Sequence, residues 1–316
     1  MMVASLNTIP VFYTPRMVAD SGGFSPSAAK PAAVVASWRR LEIPLTIHEP
    51  EPVTMEHLAL AHAPKYVDDV MQLNRSNGFG NRSKTIARTL PYTSGAMLSA
   101  AREAIGNGRI AAATCSGFHH ATYDTGGGFC TFNGLMVAAC ALLKEGVVRR
   151  VGILDFDQHW GNGTADIIKR LQLDNQVRHF HPSMVSKLEY RPGLFLRQIP
   201  EIAEQFADSD LVLYQAGADP HIDDPLGGWL TTEDLKERDL QVFRYFARMG
   251  IPVAWNLAGG YQRDATGSIR PVLDIHDNTL MACAEVYLGC TSPSLDVWQL
   301  PVGASTGFSQ HLQAEG

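Results

Sequence analysis

This 316-residue chain has no CxxC pair, and its five cysteines (Cys115, Cys130, Cys140, Cys283, Cys290) are an odd, scattered set. A chain of this length buries enough surface to fold without staples, which argues against a disulfide framework and for buried thiols in a reducing compartment. Positive charge is also scarce: 26 Lys and Arg against 32 Asp and Glu leave a net charge of -6. That excludes the electrostatic footprint of a nucleic-acid binder, while a cationic substrate would be well tolerated. Long hydrophobic runs are missing too, since no stretch reaches the ~18 uninterrupted apolar residues of a membrane span. The opening MMVASLNTIPVFYT has no basic segment followed by a long apolar one. The expectation is a cytoplasmic protein with no membrane partner. No internal repeat, low-complexity tract or linker divides the chain. With 45% apolar residues, a single domain spanning 1–316 is expected.

Seven short β-branched or apolar runs are present, at 9–14, 43–49, 110–115, 150–157, 176–181, 211–217 and 253–259. They read as buried strands. Between them lie helix-like segments at 31–41, 55–73, 92–105, 135–146, 164–173, 199–207 and 232–250. Strand alternating with helix predicts an α/β fold, a parallel sheet with helices on both faces. The stretches 21–31 and 74–84 have loop composition, and Pro31 suits an early helical position. The chain after about residue 290 is poorly patterned, and its structure is left open.

In an open parallel sheet, ligands bind outside the carboxyl ends of the strands. Four predicted ends carry unusual residues: His119-His120, Asp155-Phe156-Asp157-Gln158-His159, Asp219, and Gly259-Gly260-Tyr261. In an extended segment Asp157 and His159 point the same way. With Asp219 they make a three-ligand set that leaves one position open, as catalytic zinc sites do. Singly, each has a plainer explanation: Asp157 capping a turn, His159 partly buried, Asp219 opening the turn ADP. Together, with the other strand ends, the metal reading is stronger.

His119 and His120 suit general base and general acid work near pH 7. Asp155 could take the Nδ1 proton of one of them and so fix its tautomer. Tyr261 could donate to a developing oxyanion or simply fill the core. Gly126-Gly127-Gly128-Phe129 reads either as the lining of a narrow pocket, with Gly128 and Phe129 against substrate, or as a flexible connection.

His119-His120, GGGFC at 126–130 followed by Asn133, DFDQHWGNG at 155–163, GADPHIDDPLGG at 217–228 and GGY at 259–261 occur in the order found in histone deacetylases and their bacterial relatives. The chain resembles that family over about residues 9–265. The resemblance implies an arginase/deacetylase-like parallel sheet of about eight strands with helices on both faces. It implies Zn2+ held by Asp157, His159 and Asp219, with His119 and His120 as tandem catalytic histidines and Tyr261 polarising the carbonyl. Asp155 would partner His119 and contribute to a structural monovalent cation (K+) site, and Phe129 would wall the substrate tunnel. Three positions depart from the common pattern: Asn162 stands where many members have Asp, Trp160 where many have His, and Ala258 begins the run before Tyr261. Asn162 is as in class II and class IV members, and LGG at 226–228 with GGYQ at 259–262 looks more like class IV than class I.

The activity implied is zinc-dependent hydrolysis of an acyl-amine amide, on acylated lysine of a protein or on a small acylated amine. The foremost expectation is deacylation of acyl-lysine, with acetylpolyamine hydrolysis as the alternative. Two other classes compete. An Asp-His-Asp site can hold iron for redox chemistry, but that leaves the tandem histidines and Tyr261 without a task. An inactive module that binds acylated amines would be marked by loss of a ligand or of the tyrosine, and neither is lost here. The sequence leaves the oligomeric state open.

Overall fold

The computed structural model describes residues 6–186, 188 and 190–290. Each of the seven runs contains a strand: β1 (Ile9–Phe12), β2 (Leu45–His48), β3 (Ile110–Ala113), β4 (Val151–Asp155), β5 (Val177–Phe180), β6 (Leu211–Gly217) and β7 (Val253–Ala258). All pair in parallel, in the order β2-β1-β3-β7-β6-β4-β5. The sheet thus has seven strands among the described residues, in keeping with the parallel sheet of about eight that the resemblance implies. The inner strands β1, β3, β4, β6 and β7 are buried throughout, as strands covered on both faces must be, whereas edge strand β2 alternates.

The helices are α1 (Lys30–Trp38), α2 (Met55–Leu58), α3 (Pro64–Met71), α4 (Lys84–Asn107), α5 (Gly134–Lys144), α6 (Asn162–Arg170), α7 (Pro192–Glu204), α8 (Thr232–Met249) and α9 (Arg270–Leu288). Period-two alternation sorts the strand side chains between two cores. Ala111, Ile153, Leu213 and Ala254 join Leu58, Tyr66, Met97, Leu135 and Ile167 on the α2–α6 side. Ala112, Leu154, Val212 and Trp255 join Val34, Phe195, Phe243 and Leu280 on the side of α1 and α7–α9.

Two helices begin earlier than the sequence predicts because each runs through a proline, a residue that removes one backbone donor and normally ends a helix. Helix α4 starts at Lys84 behind the Ser83 cap and passes Pro91, and α7 starts at Pro192 and passes Pro200. Burial of Ile86 and Leu90 in the first case, and of Phe195 and Ile199 in the second, offsets the lost bond. Helix α9 was not expected. Its buried face mixes Val272, Leu280 and Tyr287 with His276, Asp277 and Thr279, which blurs the apolar period. Two of those polar groups find partners on other helices: Ser37 Oγ donates to Asp277 (2.6 Å) and Thr279 Oγ to Asp239 (2.6 Å). The stretch after residue 290 lies outside the described residues, and among the described residues no helix is long and apolar enough to cross a membrane.

One buried histidine of the scaffold makes stability depend on pH. His62 is fully buried, with Nδ1 2.9 Å from Thr122 O and Nε2 accepting the Asn133 N–H at 2.9 Å, a pairing that only the neutral ring can make. Burial lowers its pKa from 6.5 to about 4. Between those values the unfolded chain binds the proton and the native protein does not. The contribution is therefore whole above pH 6.5 and is lost as pH falls toward 4, by roughly 3 kcal/mol for a shift of this size. Urea titrations across that window should show the loss in the parent and a smaller one in His62→Gln; equal pH slopes would contradict the assignment.

Candidate functional site

The strand order sets β3, β7, β6 and β4 side by side, so four ends distant in sequence open onto one place at the carboxyl edge of the sheet. The chain leaving β3 brings His119 and His120, β4 brings Asp155, Asp157 and His159, β6 brings Asp219, and β7 brings Tyr261.

Strand β4 stops at Asp155, so the extended geometry expected for Asp157 and His159 does not apply. A tight bend does the same work: Asp157 Oδ1 accepts the His159 N–H at 2.9 Å, and Asp219 Oδ1 accepts the Gln158 N–H at 3.2 Å. Asp157 does cap the turn, as its plainer reading had it, and it also faces the site. One ligand atom from each of Asp157, His159 and Asp219 lies within 4.8 Å of the others. His159 Nδ1 sits 3.3 Å from Asp157 Oδ1 and 3.0 Å from Asp219 Oδ2. Burial and the Asp157 charge push Asp219 up to about 7, while hydrogen bonds to both carboxylates carry His159 up to about 11. Two buried carboxylates and an imidazole, gathered at one point and drawing positive charge, are a donor set that fits zinc.

Beside this group stand the paired histidines, ring centroids 4.1 Å apart. His119 Nδ1 is 2.8 Å from Asp155 Oδ2, the partnership the sequence predicts, and its Nε2 is 3.6 Å from Asp157 Oδ1. Burial opposes its charged form, but Asp155 and Asp157 outweigh that and raise it to about 9. His120 Nδ1 lies 2.7 Å from Asn162 Oδ1, a neutral partner, and burial together with the His119 charge holds its pKa down. The two rings are therefore driven to opposite protonation states, the usual mark of an acid and base pair.

Gly259 takes φ +48°, and a Cβ there would stand 2.1 Å from the carboxylate of Asp219, so only glycine lets β7 turn this close. The turn is pinned twice: Lys30 Nζ donates to Gly259 O, and Asp224 Oδ2 accepts the Tyr261 N–H at 2.7 Å. Burial raises the Tyr261 phenol well above its ordinary value, and the charges of Asp219 and Asp157 raise it further, so it stays protonated and able to donate.

Gly128 and Phe129 both have left-handed backbones (φ +54° and +64°), and a Cβ on Gly128 would lie 2.5 Å from His120. The segment is an ordered lining, closed by hydrogen bonds between Gly127 and Cys130 and from Phe129 N to Gly78 O. Phe129 packs near Tyr261 (5.7 Å between centroids), and Phe24, 52% exposed, stacks over the same tyrosine (5.8 Å, 15°).

Sequence reasoning missed several neighbours. Lys30 is fully buried, and burial lowers it to about 8 against the pull of Asp219, Asp157 and Asp224. Arg238, also fully buried, donates to Phe156 O (3.1 Å) and Gly217 O (2.8 Å), bracing two of the strand ends. His181 Nε2 meets Asp157 O at 2.9 Å. Lys30 sits in the stretch 21–31, which reads as loop, and Arg238 in one that reads as an ordinary polar helix position. His181 offered a signal, a histidine at the end of a predicted strand.

Comparison with known proteins agrees with this geometry. A family model described as histone deacetylase domain matches residues 27–190 and 180–272. An uncharacterised protein of Picosynechococcus sp. is 30% identical over 269 residues, covering 77% of this chain and 87% of that one. Histone deacetylase 2 of Arabidopsis thaliana is 31% identical over 181 residues (51% of this chain, 46% of that protein). Acetylpolyamine amidohydrolase 1 of Pseudomonas aeruginosa is 28% identical over 177 (47% and 50%). The match to these two thus spans about half of each. The crystal structure of the HDA15 HD domain superposes with a TM-score of 0.70 at 20% identity, over 91% of this chain and 92% of that one, a likeness of fold. With a family model covering most of the sequence and the motif residues gathered at one sheet edge, the chain belongs to the histone deacetylase family, a family of hydrolases.

Proposed function

We propose that this protein hydrolyses the amide of an acylated amine, with zinc held by Asp157, His159 and Asp219. The observation that carries the reading is the convergence of those three ligand atoms within 4.8 Å, flanked by His119, His120 and Tyr261. Zinc at such a site supplies Lewis-acid polarisation of the carbonyl and a lowered pKa for water. The residues supply the rest. His120, with its Nδ1 proton directed at Asn162, keeps a lone pair on Nε2 and takes the proton of the attacking water. His119, charged and oriented through Nδ1 by Asp155, holds a proton on Nε2 for the leaving amine. Tyr261 donates its phenolic hydrogen to the oxygen that gains negative charge. Phe129, Gly128 and Phe24 form apolar walls that exclude water from the reacting amide.

The proposed substrate is an acyl-lysine side chain, supported by the aromatic walls at the mouth and by the class IV-like runs around 226–228 and 259–262. Such walls gain about 0.8 kcal/mol for each methylene buried, so activity should hold or rise as the acyl chain lengthens beyond acetyl. An acetylpolyamine is the second reading, favoured by the net charge of -6 and by similarity to the Pseudomonas protein. Measuring kcat/KM on acetyl-lysine and longer acyl-lysine peptides against acetylated spermidine and putrescine, with and without chelator, decides between them. A polyamine lead of about tenfold, which is a 1.4 kcal/mol preference, overturns the acyl-lysine assignment. Activity that survives full removal of metal overturns the zinc assignment.

A further inference from the structure

Trp160, a departure within the DFDQHWGNG run, has no part in the chemistry above. Its indole stacks on the ring of His179 (centroids 5.1 Å, planes 24° apart) and meets His181 edge-on (5.7 Å). Trp160 and His179 line a cleft of about 620 Å³ beside strand β5. Next to His179 is Asp155, fully buried, the carboxylate that orients His119.

An ionised carboxylate has about four lone-pair positions to satisfy. Three are taken in Asp155: His119 Nδ1 lies 2.8 Å from Oδ2, while Gln215 Nε2 and the Asp157 N–H donate to Oδ1 at 2.9 and 3.2 Å. The fourth faces His179, whose side chain is 6% exposed and whose Nε2, buried and without a hydrogen-bond partner, stands 3.7 Å from Oδ2. Gly161 permits the approach: a Cβ there would lie 2.6 Å from Asp155 Oδ2 and 3.1 Å from His179 Nε2. A monovalent cation at this place, as the family resemblance implies, needs a shell of oxygens such as backbone carbonyls. Here the place beside Asp155 Oδ2 is met by a ring nitrogen, His179 Nε2, rather than by an oxygen, both oxygens of Asp155 already face nitrogens, and Asp157 O accepts one bond from His181 Nε2. The surroundings do not fit such an ion.

We infer that the Nε2–H of His179, held by its stack on Trp160, is the fourth donor to Asp155 and fills the position of the monovalent cation, so this chain folds and works without potassium. An isolated buried carboxylate lone pair is costly, and a few tenths of an ångström of ring movement is enough to close the bond. The role of His179 in activity rests on the proposed function, through Asp155 and His119; the cation requirement does not.

The test uses the zinc-loaded protein in tetramethylammonium chloride, replaced stepwise by potassium chloride at constant ionic strength. Melting temperature and kcat/KM on an acyl-lysine peptide are read together. In the parent both should stay constant, because a cation that binds only the native protein raises the melting temperature with its concentration. His179→Ser removes the ring N–H and leaves a much shorter hydroxyl, which empties the position beside Asp155. In tetramethylammonium it should melt lower and lose about tenfold in kcat/KM, the effect of one unmade hydrogen bond to a buried charge, and potassium should repair both. A saturable rise of the parent melting temperature with potassium overturns the inference. So does a His179→Ser protein that matches the parent without potassium, or one whose loss potassium does not repair. If no amide is turned over, the melting experiment still decides the cation question, and the failure of the proposed function is read separately.

Discussion

Replacing Asp157 with alanine should abolish stoichiometric zinc and, with it, activity. Three ligands is the working minimum for a catalytic zinc site, and the variant keeps two, His159 and Asp219. Removing an outer-shell partner of a metal ligand already costs about 10–100-fold in affinity or activity, so loss of a ligand should exceed that. Elemental analysis of the purified variant is the direct check. The scaffold should survive, because Asp157 is one of two neighbouring buried acids: burial and then the Asp157 charge push Asp219 up to about 7, and removing Asp157 relieves the second of these. The rise in melting temperature that zinc gives the parent should be absent from the variant. Metal retained at one equivalent in Asp157→Ala would remove it from the ligand set. A hydroxamate, which chelates through two oxygens, should inhibit the parent competitively, and indifference to it counts against an open site.

Tyr261→Phe should lower kcat by ~10²–10³, as loss of other oxyanion donors does, with little change in KM. The substitution removes one oxygen and leaves the rest of the residue in place. Stacking with Phe24 and contact with Phe129 need only the ring, and the bond to Asp224 uses the backbone N–H. The variant should therefore melt with the parent and bind zinc with it. A kcat equal to that of the parent would leave Tyr261 as a residue that simply fills the core.

The strands were legible because inner parallel strands must be apolar on both sides, and IAAATC, RVGIL and LVLYQAG could hardly be anything else. Helices crossed by Pro91 and Pro200, and α9 with its buried His276 and Asp277, were not legible in the same way. Their stability comes from tertiary burial and cross-helix hydrogen bonds, which local pattern does not record. The same division runs through the site. Asp157 and His159 are two residues apart, and their pairing could be anticipated, although by a bend rather than by strand alternation. Lys30 and Asp224 are 194 positions apart, and nothing in either neighbourhood says that both would hold the turn before Tyr261.

By itself the sequence determined the candidate reacting groups, the parallel α/β class, and the expectation that the site lies where strands end. Tertiary structure decided which ends meet. The order β3-β7-β6-β4 joins segments as far apart as His119 and Tyr261, and packing on both faces of the sheet fixes that order. It also decided protonation. Whether an imidazole carries charge depends on burial and on the charges within a few ångströms, so of two histidines adjacent in the chain His119 is driven up, against its burial, by Asp155 and Asp157, while burial and the charge of His119 drive His120 down.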